Sequence, residues 1–247
     1  MTSAAFDDLA SQYDRMWTRS TVGQLQREAV FRHIGPLFEP GLSVLDLGCG
    51  TGEDARTLMH AGLHVRAIDA SLGMVKIARE RGVHAAILPI ENCGVLDEQF
   101  DVVLSNFGAL NCVKDLKSLR EPLARLARPG GHMAICLIGG FCLWETVWSL
   151  CHARPATAFR RWRKSVMSSL GFPVYYPSNQ DLETAFHPQF RLLNWRGIGL
   201  CVPPSYVTGL PDRWLWNLDA VDRRVAHWPV LRGLSDHRLF VLQRTSK

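Results

Sequence analysis

The stretch SVLDLGCGTGEDA, residues 43–55, constrains this chain more than any other. A short apolar run with one acid, Asp46, gives way to glycines on alternate positions, Gly48, Gly50 and Gly52. Glycine weakens regular structure, so its place directly after a strand-like segment needs a reason. A glycine turn lets the backbone approach a ligand closely, and it opens a helix whose free N–H groups face that ligand. The feature therefore predicts a nucleotide-like ligand at the end of a first strand. The dinucleotide pattern G-x-G-x-x-G does not fit, because its third glycine position holds Glu53 and Gly52 comes one residue early. The phosphate-loop pattern fails too, for want of Gly-Lys-Ser/Thr.

The flanking sequence alternates in type. SVLDL (43–47), HVRAIDA (64–70), HAAIL (84–88), FDVVLSNF (100–107) and HMAICLIG (132–139) read as strands. Between them, GEDARTLMHAG has acids in its first turn and a glycine stop, and SLGMVKIARERG has late basic residues and Gly82 as its stop. DLKSLREPLARLARPGG is a further helix, in which Pro122 forces a kink or a late start. Strands alternating with helices predict a mostly parallel α/β sheet, doubly wound and covered on both faces. Upstream, Phe6, Leu9, Ala10, Tyr13 and Trp17 share one helix face, and a second helix covers 22–34 before Gly35-Pro36. Downstream, 141–170 reads as helical, basic and aromatic. SNQDLETAF is a short helix capped by Ser178 or Asn179, and FRLLNWRGIGL and HRLFVLQR are closing strands. The whole, 1–247, is expected to be a single domain with N-terminal helices over 1–40 and two inserted segments, 141–176 and 202–236.

What remains of the glycine motif is D-x-G-x-G-x-G, with Asp69 ending the second strand. With VLDLGCGTG (44–52), AIDAS (67–71), FDVVLSN (100–106) and LARPGGHMAI (126–135) in register, the chain resembles the class I S-adenosylmethionine-dependent methyltransferases. FDDLASQYD (6–14) also resembles the entry helix of the small-molecule members, the quinone-biosynthesis type included. The resemblance implies a Rossmann-like, seven-stranded sheet of order 3-2-1-4-5-7-6 with the last strand antiparallel. It implies S-adenosylmethionine as cofactor and S-adenosylhomocysteine as product. It also implies a set of cofactor contacts. Asp69 takes the ribose hydroxyls and Asp46 the methionine ammonium. Gly48, Gly50 and Gly52 pass close to the methionine and ribose. Ala70 follows Asp69, and Met74 packs on the adenine. The family's acid after strand three is missing from LPIENC, where backbone groups of Ile90 and Glu91 stand instead. Ser105, Asn106 and Phe107 end strand four, where the methyl points, with Asn111 further along that loop, and Tyr13 covers the cofactor.

SNFG (105–108) is not the tetrad of amino-methylating DNA enzymes, and a formal charge of +5 is mild. Both argue against a nucleic-acid acceptor, and the expected acceptor is a small, apolar or aromatic molecule methylated on O, N or C. Two other readings stay open. One is a nucleic-acid or protein methyltransferase using RRWRK (160–164); the other is a protein that binds the cofactor without catalysis. Candidate bases are His152, Tyr175, Tyr176, His187 and His237, with His237 and the tyrosine pair best placed to be catalytic. The inserts hold Trp144, Trp148, Trp162, Trp214, Trp216 and Trp228, which predicts a lid of both segments over the methyl position. Seven scattered cysteines without zinc-type spacing, and His60 and His64 separated by Gly62, predict no metal and no disulfide framework. An acidic N-terminus without an apolar core, and Gly139-Gly140 and Glu145 within the longest apolar stretch, predict a cytoplasmic protein with no membrane span.

Overall fold

The structure is a computed structural model and describes residues 2–207 and 209–246. The strands are β1 (Ser43–Leu47), β2 (His64–Asp69), β3 (Ala85–Ile87), β4 (Phe100–Ser105), β5 (Ala127–Ile138), β6 (Ser165–Met167), β7 (Pro173–Tyr175), β8 (Phe190–Ile198) and β9 (His237–Arg244). Seven of them form one sheet of order β3-β2-β1-β4-β5-β9-β8, and β6 and β7 form a separate antiparallel hairpin. β9, last in the chain, runs antiparallel to both β5 and β8, and the remaining pairs are parallel.

The helices are α1 (Thr2–Tyr13), α2 (Thr21–Ile34), α3 (Glu53–His60), α4 (Leu72–Glu80), α5 (Arg120–Leu126), α6 (Leu143–Cys151), α7 (Pro155–Ala158), α8 (Asn179–Phe186) and α9 (Asp212–Val225). They cover both sheet faces. Leu45, Leu47, Val103 and Ile135 pack toward α5 and α8 on one face. Val44, Ala67, Val102 and Ala134 pack toward α2, α3 and α4 on the other. Burial on both faces explains why the central strands read as nearly unbroken apolar runs. On β1 the alternation puts Asp46 on the α2–α3 side, buried at 2% exposure.

Local chemistry sets the element ends. Ser71 caps α4 through the Met74 amide at 3.1 Å. Ser178, not Asn179, caps α8, in a reciprocal box with Asp181. Pro122 sits in the first turn of α5, where no intrahelical N–H is needed, so the helix proper starts late, at Arg120.

Three features differ from the sequence expectation. α1 stops at Tyr13 and passes into a π-helical turn, Asp14–Thr18, so Trp17 leaves the α1 register. β5 begins at Ala127 rather than at His132, because a register shift against β4 between Phe100 and Val102 absorbs the Pro-Gly-Gly turn into the strand. Finally, 141–170 is not helical throughout: after α7 the chain turns back as the β6–β7 hairpin.

Candidate active site

Two backbone bonds tie the glycine turn to the sheet. The Gly48 and Cys49 amides both donate to the Ile68 carbonyl, at 2.8 and 3.0 Å. Gly48 has φ +75°, and a Cβ there would press into the Ala109 side chain. Gly50 has φ +53°, and a Cβ on it would meet nothing within 4 Å. The first glycine is thus required by packing, whereas the second leaves an open space beside the backbone. Asp69, at the end of β2, faces that space. Its Oδ2 accepts from the Gly50 amide and its Oδ1 from the Ser71 amide, both at 2.9 Å. These bonds fix the carboxylate's orientation before any ligand arrives.

Two adjoining chambers open here and share Tyr13, Gly48, Gly50, Asn106 and Phe107. The larger, about 230 Å³, is bounded on its polar side by Asp69, Ala70, Ser71, Met74, Ile90 and Glu91. Its apolar side comes from Phe6, Val113, Ile138, Phe172 and Val174, with Cys112 among them. The smaller, about 40 Å³, contains Asp46, Asp54, Trp17 and Arg27. A more open groove of about 760 Å³ lies beside them, lined by Arg19, Glu53, Arg56 and Arg81 among others. Its charges close on one another, Arg56 on Glu53 at 2.8 Å and Arg81 on Asp14 and Glu53, so the groove offers less to a ligand than the chambers do.

The electrostatics of the smaller chamber are lopsided. Asp46 and Asp54 enter it, and Arg27 is the one cation among its lining residues. Arg27 Nε is engaged by Asp54 at 2.6 Å, while the Asn106 amide donates to the other Asp54 oxygen at 2.9 Å. Asp46 Oδ2 is buried and has no hydrogen-bond partner. Burial, then the Asp54 and Asp69 charges, push the Asp46 carboxyl well above its ordinary value. Burial also raises Asp69, against its two backbone bonds. A buried acid without a partner, beside two more, is a place for a cation.

α1 and the π-helical turn cover both chambers. Asp7 accepts from Ser71 Oγ (2.5 Å) and from the Gly73 amide (2.8 Å) at the start of α4. Asp14 accepts from Thr51 Oγ1 at 2.7 Å and pairs with Arg81. Between these two latches Tyr13 is half-buried, and burial pushes its hydroxyl up to about 12. Phe107 closes the inner end with φ +50°, a strained value for a side chain of its size. Trp17 (4.5 Å between centroids), His237 (5.6 Å) and the Arg27 guanidinium (5.5 Å) hold it there.

The structure brings together most of the residues singled out from the sequence, but not all. Tyr13, Asp46, Gly48, Gly50, Asp69, Ala70, Met74, Ile90, Glu91 and Asn106 line one chamber or both. Gly52 and Ser105 are not among the lining residues. Gly52 caps α3, where a Cβ would lie 2.9 Å from Ala78, and Ser105 donates its hydroxyl to the Leu47 carbonyl at 3.0 Å. None of the three favoured catalytic side chains lines a chamber. Val174 does so, and strand alternation therefore turns its neighbour Tyr175 to the other face. Tyr176 lies beside Gly140, and His237 sits behind Phe107 with Nδ1 at 3.2 Å from Asp236. His152 and His187 are exposed. Asn111 is spent on structure: its amide nitrogen donates to Tyr175 O (2.6 Å) and its oxygen accepts from the Ile138 amide (2.8 Å).

The inserts also differ from a two-part lid. The first reaches the larger chamber only through Phe172 and Val174. Among the described residues, 202–236 contributes nothing to either chamber. Instead α9 packs through Leu215 on Val22 and Leu25 of α2, and Trp214, Trp216 and Trp228 are exposed. Sequence reasoning missed Arg27, Asp54, Phe172 and Val174, whereas Phe107, placed from the sequence at the end of strand four, does line both chambers. The signal for Arg27 was available in principle, since it lies in α2 after the covering turn, but its partner Asp54 is 27 residues away.

Comparison with known proteins follows the same lines. The Methyltransferase domain family model matches residues 45–135, from β1 to β5. A demethylmenaquinone methyltransferase of Clavibacter sepedonicus is 40% identical over 146 residues, 54% of this chain and 56% of that protein. The chain thus spans little more than half the length of that relative. A demethylmenaquinone methyltransferase of Renibacterium salmoninarum is 34% identical over 171 residues, 64% of this chain and 69% of that protein. The chain belongs to the class I S-adenosylmethionine-dependent methyltransferase family. Its fold agrees with that of an S-adenosylmethionine-dependent methyltransferase from Mesorhizobium loti, with a TM-score of 0.60 at 15% identity, covering 87% of this chain and 98% of that one. Within this family chain, the matched region carries the glycine turn, Asp46 and Asp69, whereas the hairpin and α9 lie beyond it.

Proposed function

We propose that this protein transfers a methyl group from S-adenosylmethionine to a small, apolar, ring-bearing molecule. The observation that carries this reading is the buried, partnerless Asp46 carboxylate beside Asp54 and Asp69, at the end of a glycine turn with open space at Gly50. That donor set fits a cationic amino-acid group next to a ribose. When bound, the cofactor supplies an electrophilic methyl on a sulfonium, and its transfer leaves S-adenosylhomocysteine.

The chain's own residues do the rest. Asp69 accepts from the ribose hydroxyls, Asp46 faces the ammonium, and Arg27 meets the carboxylate of the methionine part. Met74 and Ile90 flank the adenine. Phe6, Phe172, Val174 and Ile138 hold the acceptor and exclude water. Placing two reactants in line contributes about 7–11 kcal/mol of a displacement barrier. The apolar wall offers no base. Burial pushes the Cys112 thiol up to about 12, so it stays protonated, as Tyr13 does. The site therefore suits an acceptor that is a nucleophile in its own right: an ionised phenol, or an electron-rich ring carbon whose displaced proton passes to the Glu91 carboxylate on the chamber's polar side or to solvent. Reduced quinones meet that description, and the two curated relatives are named for a quinone. The RRWRK reading loses ground, because Arg160 and Arg161 are tied to Glu145 and are not free for phosphates. The unpaired thiols of all seven cysteines support a reducing, cytoplasmic setting.

Calorimetry with S-adenosylmethionine and a radiolabelled-methyl assay over reduced quinones and simple phenols test the reading. Saturable cofactor binding, and label in the quinone fraction after EDTA treatment, are expected. Tight binding of a nicotinamide dinucleotide instead, or activity that depends on an added divalent ion, would overturn it.

A further inference from the structure

We propose that the segment from Phe159 to Leu170 is a docking surface for an anionic lipid bilayer, placed on the outer side of the apolar chamber wall. Its purpose, collecting an apolar acceptor from the bilayer, rests on the function proposed above.

Large apolar side chains are concentrated here in the open. Trp162 is 66% exposed, Met167 65%, Leu170 41% and Phe159 39%, and the Phe159 and Trp162 rings meet tilted at 54°, with centroids 4.8 Å apart. Such a cluster on a folded domain marks an interaction site rather than ordinary surface. The hairpin gives it direction. Val166 pairs with Val174, which lines the chamber, whereas Met167, one residue on, belongs to the opposite, outer face. Phe172 and Val174 face the acceptor space and Leu170 stands near the exposed hairpin turn, so the same hairpin connects chamber and solvent.

The charge identifies the occupant. Arg163 and Lys164 sit between the exposed apolar groups, are themselves exposed, and form no ion pair with any described residue. Glu145 is the only acid in residues 141–178, and it is buried with its carboxylate held by Arg160 and Arg161. The outer face is therefore apolar and positive over 141–178; Asp181, just beyond on α8, lies within electrostatic reach of Lys164 but is engaged by the Ser178 cap, so Arg163 and Lys164 still leave the face net positive. A second copy of the chain would meet it with like charge, which disfavours self-association. Aromatic rings next to Lys and Arg stems instead match the headgroup level of an anionic bilayer, where rings and stems are half-buried and the charges meet phosphates.

The test is sedimentation of the full chain with phosphatidylcholine vesicles, with and without added phosphatidylglycerol. Binding is expected to the anionic vesicles only, and to fall at high salt. Substituting Arg163→Gln and Lys164→Gln together should weaken it by roughly fivefold for each charge removed, and Trp162→Ser should weaken it as well. All three positions lie outside the chambers, so melting temperature and S-adenosylmethionine affinity should not change. No binding to anionic vesicles overturns the proposal. So does binding that the variants leave unchanged, or a dimer of the wild type that Trp162→Ser disperses. Cofactor calorimetry on the wild type is a separate measurement: its failure would sink the function and leave the docking surface standing.

Discussion

The two sides of the larger chamber are built in opposite ways. On the β1–β2 side, polar groups are fixed by short-range bonds: Asp69 by the Gly50 and Ser71 amides, and the turn by Ile68 O. On the β6–β7 side, apolar groups act by shape: Phe172 packs on Phe6 at 5.1 Å, and Val174 follows from strand alternation. The first side holds the half-buried Asp69, with the buried Asp46 in the adjoining smaller chamber, and both carboxyls are pushed up by burial, which costs stability in the free protein. The second side buries apolar surface and so contributes stability. One side is thus suited to a ligand of fixed charge and shape, and the other to any ligand of the right bulk. Cofactor and acceptor recognition are expected to separate along that line.

The largest effect should come from the polar side. Asp69→Asn keeps the shape and removes the charge. Cofactor affinity should fall by the worth of a charged hydrogen bond, about 1.5–3 kcal/mol or tenfold and more, while the melting temperature holds or rises. The pH dependence follows from the same burial. Asp46 and Asp69 have raised folded-state values, so their favourable contribution to stability is complete below the ordinary value of 3.8 and is lost as pH rises through the raised values. Affinity for a cationic cofactor runs the other way, strengthening over that interval as the acids ionise. Calorimetry and thermal melting across one pH series check both signs. Parallel slopes would break the contrast between the two sides.

The same contrast explains what could be read from the sequence. The glycine turn, Asp46 and Asp69 were legible because their chemistry is local: strand, turn and acid follow at fixed spacing. The β6–β7 hairpin was not, because its register is closed by long-range bonds such as Tyr176 N to Lys164 O at 3.0 Å. A shift of one residue in such a hairpin exchanges the faces, so the place of Tyr175 just after the first insert does not tell that Val174, and not Tyr175, lines the chamber. Ser105 ends the right strand, but whether its hydroxyl turns to a ligand or to Leu47 O depends on packing that spacing does not encode. The tryptophans suggested a lid because aromatic content carries no direction. Four of the six stand exposed.

A middle-sized effect is expected on the apolar side. Phe172→Ala should raise the acceptor KM by about tenfold, since burying an aromatic side chain is worth about 1.5–3 kcal/mol. S-adenosylmethionine affinity should stay within about twofold, well under the 1.4 kcal/mol that a tenfold change represents. Steady-state kinetics with the two substrates varied in turn would show the split. Equal losses for both substrates would mean that the two walls do not act separately.

The smallest effect is expected at His237, which belongs to neither side. It begins β9, is 8% exposed, and meets the edge or face of Phe107 nearly perpendicularly, at 87°. Phe107, not His237, borders the chambers. Burial works to raise the neighbouring Asp236, but His237 and Arg161 outweigh it and hold that carboxyl below the ordinary range. The imidazole therefore serves a buried charge cluster. A base in contact with the acceptor is worth about 10²–10⁴-fold in rate. His237→Gln retains a donor for Asp236 and should leave kcat and its pH profile nearly unchanged, with a small drop in melting temperature. A hundredfold loss of kcat in a folded variant, with a limb missing from the pH profile, would place the imidazole in the chemistry. It would also require Phe107 to leave its strained position during turnover, which would make that ring, rather than the inserts, the moving part of the site.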